Sequence, residues 1–463
     1  MNSKNTEAVS KEDRRIYTLS TEKPARAVVK LGVPLIAGMM VMVLYNLVDT
    51  FFIGLMHDDY RLAAVNLAYP VMMVMIALSN MVGTGAGSLI ARCLGGGDRE
   101  KACRTLTVGF LLMTAVSLLL TVVGLGCLPV IVKGLGAQSN TYDYTAQYVS
   151  VILIGSIFTM GSYTSGQLLR SEGSVKQSVA GMILGTVANI ILDPVFIFAL
   201  GMGIRGAAIA TVLGNAAGMF ISLWYYASGR TVLRPSFKAV SAKGSGAAAI
   251  AGEIFRVGVP SSLETLLTSA AYVVNNNLAV SYGELTVAAM GISQKILSFG
   301  SYIYQGFASG TQPLMGYNYG ARNFRRMLDV LKAGVLTVSG TELCVMLVYG
   351  VTAPYLIGIF TDSADVIASG STILRANMFI LPFVGAISMS RMSFQAMGMP
   401  RYSFGITLTR QLFLYIPLLL ALNKLFGFYG LIWAQPVTEA IMMAVSVTLL
   451  RHVLKKEEAR LTA

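Results

Sequence analysis

Asn189-Ile190-Ile191-Leu192-Asp193-Pro194-Val195-Phe196-Ile197-Phe198 is apolar enough to lie in lipid, yet it holds a carboxylate and a proline. A charge at bilayer depth costs about 2.5–3.5 kcal/mol on insertion scales. Proline lacks the N–H that would bond the carbonyl four residues back, and in lipid that carbonyl must find another partner. Neither residue helps a plain membrane anchor. The stretch is expected to be a working part of a membrane protein.

The remainder of the chain agrees with that class. Of 463 residues, 55% are hydrophobic and 12% charged, against about 25% charged in soluble domains. Apolar runs of spanning length recur from Ala27 to Leu450. They predict an all-α polytopic membrane protein with twelve transmembrane helices. The net charge of +13 invites a nucleic-acid reading. The basic residues, however, sit in short patches between apolar runs, the distribution that fixes orientation in a bilayer. The bilayer is therefore the expected partner, and nucleic acid is not. In the odd-numbered connections the only basic residues are Arg61, Lys133, Arg205 and Lys424. Both termini are thus expected in the cytoplasm, which an even number of spans requires. The polar N-terminal stretch lacks the apolar core of a signal peptide and reads as a retained tail. The four cysteines form no CxxC pair or zinc set. No resident metal, no cofactor and no catalytic residues are expected.

The chain repeats itself. Gly32-Val33-Pro34 opens the first span, and Gly258-Val259-Pro260 opens the seventh. Gly85, Leu89 and Gly95 recur as Gly310, Leu314 and Gly320; Asp98 is matched by Asn323, and Gly173 by Gly398. An offset of 225–226 residues relates all of these pairs. Two pseudo-symmetric six-helix lobes in the same orientation follow, the plan of an alternating-access transporter. The expected organisation is a cytoplasmic tail over 1–26, an N-lobe over 27–228, a cytoplasmic linker over 229–249, a C-lobe over 250–450 and a second cytoplasmic tail over 451–463. The linker carries Arg230, Arg234, Lys238 and Lys243 among Gly and Ser.

At this point the sequence resembles the multidrug and toxic compound extrusion (MATE) transporters. In span one the likeness is carried by Pro34 and Asn46-Leu47-Val48-Asp49-Thr50-Phe51-Phe52-Ile53-Gly54. Span two adds Gly83-Thr84-Gly85-Ala86-Gly87-Ser88 and its loop Gly95-Gly96-Gly97-Asp98. The end of span five and start of six add Gly201-Met202-Gly203-Ile204-Arg205-Gly206-Ala207. The second half adds Gly310-Thr311-Gln312-Pro313-Leu314-Met315-Gly316. The resemblance implies multidrug efflux by ion-coupled antiport in a bacterial plasma membrane. Protons or sodium would enter while amphipathic, often cationic compounds leave, with antibiotic resistance as the consequence and a monomer as the working form. It places the coupling ion at Asp49, Asn189, Asp193 and Thr211, where sodium is an alternative to a proton. Relatives with a C-lobe sodium site carry an acid in span ten. Here Val366–Met397 holds Arg375 and Arg391 but no Asp or Glu, although Glu264 matches the family's span-seven acid. The coupling site is therefore expected in the N-lobe.

The residues support this independently. Asn46 and Asp49 are three apart, and Asn189 and Asp193 four apart, so each pair shares a helix face. Desolvation makes a carboxylate easier to protonate, and oxygen ligands also suit a hard cation. Glu264 is a candidate substrate counter-charge and Pro34 a candidate hinge. The roles of Glu342, Lys295, Arg375 and Arg410 stay open, with pairing to an acid or snorkelling to an interface as alternatives. Gly201–Gly206 spells GxGxxG but follows an apolar helix instead of a strand, so it reads as a tight turn. Two rival functions share the fold: a narrow-specificity metabolite exporter and a flippase for lipid-linked oligosaccharides.

Overall fold

The computed structural model describes residues 14–56, 58–236, 240 and 246–462. Among them there are helices and no strand. Span one is Pro24–Gly54, span two Asp59–Gly95 and span three Arg99–Gly126, followed by a short helix Leu128–Gly134. Span four is the pair Ser139–Ile154 and Ser156–Ser171, bent by 53°. Span five is Val175–Pro194 continued by a π-helical turn, Val195–Ala199, and span six is Gly203–Ala227. Spans seven, eight and nine are Ala247–Val280, Glu284–Gly320 and Phe324–Gly358. Span ten is a second pair, Ala364–Met378 and Leu381–Ala396, bent by 42°. Span eleven runs from Pro400 to Phe426 through a π-helical segment Thr409–Tyr415, and span twelve is Phe428–Thr462. By length and composition eight of these helices can cross a membrane, and ten with the two bent pairs. Spans seven and eight complete the expected twelve. They are the more polar pair, with Glu264 and Asn275–Asn277 in one and Gln294, Lys295, Gln305 and Gln312 in the other.

The repeat reappears as matched turns. Asp98 caps span three by accepting the Lys101 N–H at 2.9 Å, and Asn323 caps span nine by accepting the Arg326 N–H at 3.1 Å. A side-chain oxygen at this position satisfies a backbone donor that the helix itself leaves open. The residue before each cap has a positive φ: Gly97 at +80° and Arg322 at +56°.

The described residues form two compact units. One comprises those from 14 to 21 and from 37 to 263, the other those from 22 to 36 and from 264 to 462. Each unit therefore contains the opening of a span from the other half of the sequence. In the first unit, a Cβ at Gly258 would lie 1.7 Å from the Met81 carbonyl oxygen, and one at Gly85 would lie 2.2 Å from the Ile254 carbonyl oxygen. In the second unit the same relation recurs. A Cβ at Gly310 would approach the Leu31–Gly32 backbone to 2.9 Å, and one at Gly32 would meet the Phe307 ring at 2.3 Å. The repeated glycines are thus the places where spans one and seven lie backbone-close on spans eight and two. Membership of the two units changes just after Pro34 in span one and just after Pro260 in span seven.

The connection after span six begins as a strap held to the first unit. Glu172, fully buried, accepts the Ser174 hydroxyl at 2.7 Å and the Leu233 N–H at 3.0 Å. Arg99 donates to the Val232 carbonyl at 2.5 Å, and the Thr107 hydroxyl accepts the Ser236 N–H at 2.8 Å. Arg15, on a helix over 14–20, donates to the Arg230 carbonyl at 2.8 Å and also bonds Tyr225. The expected linker is therefore tied down over its first part. Residues 237–239 and 241–245 of it lie outside the described residues, as do 1–13 of the N-terminal tail. Replacing Glu172 by Ala leaves the Leu233 N–H unpaired, at a cost of about 1–3 kcal/mol. Trypsin should then cut after Arg230 faster than in the unsubstituted protein, as followed by timed digestion.

Candidate functional site

Spans five and six approach through small residues. Gly181 and Gly185 of span five face Gly214 and Gly218 of span six. A Cβ at Gly185 would sit 2.7 Å from the Gly214 carbonyl oxygen, and one at Gly181 would sit 3.1 Å from that of Gly218. Four-residue glycine spacing on both helices lets the backbones touch, as is common in membrane helix pairs. Asn189 lies one turn further along this seam, its Cβ 2.7 Å from the position a Cβ on Gly214 would take. The seam therefore sets how close Asn189 comes to the helix that carries Thr211.

Asn189 and Asp193 are buried, with 3% and 0% exposure. Asn189 donates its amide to Asp193 Oδ1 at 3.4 Å, the i to i+4 pairing expected from their spacing. The Asn189 carbonyl oxygen is buried and accepts no hydrogen bond among the described residues. Thr211, also buried, gives its hydroxyl to the Ala207 carbonyl at 3.0 Å, which leaves the oxygen's lone pairs available. The site thus offers a carboxylate, an unmet amide oxygen and a hydroxyl oxygen. Immediately after Asp193, Pro194 ends the α-helix and the chain continues as a π-helical turn. Leu200 donates to the Val195 carbonyl at 2.9 Å, five residues back. This is how the span accommodates a residue that cannot donate. Gly201 and Gly203 then adopt positive φ of +64° and +55°, forming the turn read from GxGxxG.

Asp49 and Asn46 lie on the helix of span one, but their side chains lie outside the described residues. Pro34 sits inside the same helix and is half-buried. A recess of about 490 Å³ lined by Tyr60, Asn66, Gln138 and Asn140 contains none of the candidate residues.

The second unit accounts for most of the charges left open by the sequence. Glu264 is paired with Arg391 of span ten. Sodium-binding relatives are expected to carry an acid in that span; here a cation in it meets Glu264 instead. Arg410 donates its Nε to both Glu439 oxygens, at 2.9 and 3.0 Å, and a second nitrogen to Oε1. Arg375 is exposed and gives its Nε to the Gly350 carbonyl at 3.2 Å, and Lys295 is exposed. Glu439 was not among the residues singled out by sequence. The signal was available: an acid in the middle of span twelve, subject to the same lipid penalty as Asp193.

A family model described as MatE matches residues 34–195 and again residues 260–420. The chain belongs to the MatE family. The two matches begin at Pro34 and Pro260 and end in spans five and eleven, so the family unit falls within each half of the repeat and is present twice. As a MatE protein it is a multi-pass membrane efflux transporter. A relative of full length is the multidrug export protein MepA of Staphylococcus aureus (strain MSSA476), 28% identical over 444 residues, covering 96% of this chain and 97% of the relative. A crystal structure of a MATE transporter in the bent conformation superposes with a TM-score of 0.90 at 26% identity, covering 97% of this chain and 99% of that one. A transporter of the MOP superfamily from Pyrococcus furiosus, described as having a binding pocket of reversed polarity that suggests a different function, gives 0.88 at 28% identity, covering 95% and 98%.

Proposed function

We propose that this transporter exports amphipathic, mainly cationic drugs from a bacterial cell by antiport against an entering ion. The protein acts as a monomer in the plasma membrane with both termini in the cytoplasm. The coupling site is Asp49, Asn189, Asp193 and Thr211. The observation that carries this reading is the buried Asn189–Asp193 pair, with an amide oxygen left unmet, packed against the helix that carries Thr211. A proton can settle on the carboxylate. Sodium is the alternative ion, since every available donor is oxygen. Ion entry neutralises the acids and weakens their hold on a cationic substrate. Span one then repacks beyond Pro34, the substrate leaves and the lobes exchange access. When the ion departs to the cytoplasm the acids recharge.

A second reading is a narrow-specificity exporter, favoured by the likeness to the Pyrococcus protein described as differing in function. A flippase for anionic lipid-linked cargo is supported less, because Arg391 and Arg410 each already pair with a glutamate. The test is transport of a fluorescent cation into vesicles with proton and sodium gradients imposed separately. One gradient should drive accumulation and the matching ionophore should abolish it. Accumulation indifferent to both gradients would refute antiport.

A further inference from the structure

The N-lobe reading leaves one buried acid unused. Glu342 sits near the middle of span nine, is 0% exposed, and neither carboxylate oxygen has a side-chain hydrogen-bond partner among the described residues; only the Tyr304 backbone faces it as a donor. Spans eight and ten close over this part of the helix. A Cβ at Gly385 would lie 2.6 Å from Val338, one at Gly334 would lie 2.5 Å from Met389, and one at Gly300 would lie 3.3 Å from both Val345 and Leu381. An ionised carboxylate sealed in this way would cost several kcal/mol unless a cation paired with it. No cation pairs with Glu342 among the described residues. Arg410 is held by Glu439 through both carboxylate oxygens, and Arg391 by Glu264. Arg375 bonds the Gly350 carbonyl, two turns along span nine, and Lys295 of span eight is exposed. Two tyrosines complete the titratable surroundings. Tyr304 of span eight lies among the charges of Arg410, Glu439 and Glu342, and Tyr349 gives its hydroxyl to the Ile296 carbonyl at 2.8 Å. The described residues contain no group of three acids, histidines or cysteines able to hold a metal ion. Two arginines against Glu264 and Glu439 are already balanced, so a third negative charge would stand alone.

We propose that Glu342 is a proton-binding site of the C-lobe, occupied by its proton while spans eight, nine and ten are packed as they are here. A carboxylate oxygen takes a proton from water, an O–H bond forms, and the lobe interior becomes neutral. The proton exchanges only when the packing over Glu342 opens, which makes the site sensitive to conformation. This inference stands apart from the N-lobe coupling site and does not depend on it.

Infrared difference spectroscopy of the whole protein in lipid nanodiscs tests it. At neutral pH the unsubstituted protein should show a carboxylic-acid C=O stretch that shifts in deuterium oxide and that Glu342→Gln removes. Asp193→Asn should leave that component in place. A Glu342→Gln spectrum identical to that of the unsubstituted protein would overturn the proposal. A second variant covers the case in which Glu342→Gln does not fold. Glu342→Leu should keep or raise the melting temperature, because a neutral acid without partners contributes no pairing. A fall as large as that of Arg410→Met would show an ionised, paired Glu342 and would also overturn it. Transport is measured in neither arm, so failure of the antiport reading leaves this result unaffected.

Discussion

Arg410→Met should lower the stability of the protein by about 3–5 kcal/mol, the usual loss when one partner of a buried ion pair is removed. Glu439 has 2% side-chain exposure and loses every hydrogen bond that Arg410 supplies. The anion then sits in the helix bundle with nothing to neutralise it. Removing both charges together, as Arg410→Met with Glu439→Leu, should recover most of the loss, because the remaining groups are apolar and of similar volume. Lys295→Met serves as the control: the lysine is exposed and should change the melting temperature little. Thermal unfolding in detergent reads all three. A melting temperature for Arg410→Met equal to that of the unsubstituted protein would show that the pair is not formed.

Gly258→Ala should be destabilising by about 1–3 kcal/mol or more, at the upper end expected of overpacking. The new methyl would lie 1.7 Å from the Met81 carbonyl oxygen, which is backbone and cannot rotate away. Gly32→Ala, the equivalent change in the other half of the repeat, first meets the ring of Phe307, a side chain that can turn, and should cost less. Gly252 lies on the same helix as Gly258 with nothing within 4 Å of its Cβ position. Gly252→Ala should therefore stabilise by about 0.5–1 kcal/mol through backbone entropy. Opposite signs six residues apart on one helix would be hard to obtain from any cause but the contact with span two.

The frame of this protein was legible because lipid enforces it. Long apolar runs, basic connections and the 225–226 offset each leave a mark at a known place in the sequence. Asp193 was legible for the same reason: a carboxylate in an apolar run is costly wherever its partner lies. The partners were not legible. Nothing near Gly258 indicates Met81, and nothing near Leu233 indicates Glu172, because these contacts join residues far apart in the chain. Gly85 and Gly310 could be recognised as repeat-mates, but the reason for glycine at both is the backbone of a distant span. Glu264 matched a family position, while its pairing with Arg391 follows from the reversed sign in span ten. Glu439 went unnoticed although it met the same criterion as Asp193, and it proved to be the partner of Arg410. The strap over 230–236 looked bare because its hydrogen bonds come from Arg15, Arg99, Thr107 and Glu172, none of them local to it.

In the proposed antiport Asp193 binds the ion whose entry drives export. Each pH unit of gradient supplies about 1.4 kcal/mol per proton, enough for roughly a tenfold accumulation by one-for-one exchange. The direct measurement compares uphill accumulation with downhill exchange of a fluorescent cation in vesicles containing Asp193→Asn. The amide keeps the shape of the side chain and its place beside Asn189 but cannot take up or release a proton at physiological pH. The variant should exchange substrate down its gradient and fail to concentrate it under any imposed proton or sodium gradient. Accumulation by Asp193→Asn equal to that of the unsubstituted protein would contradict the assignment.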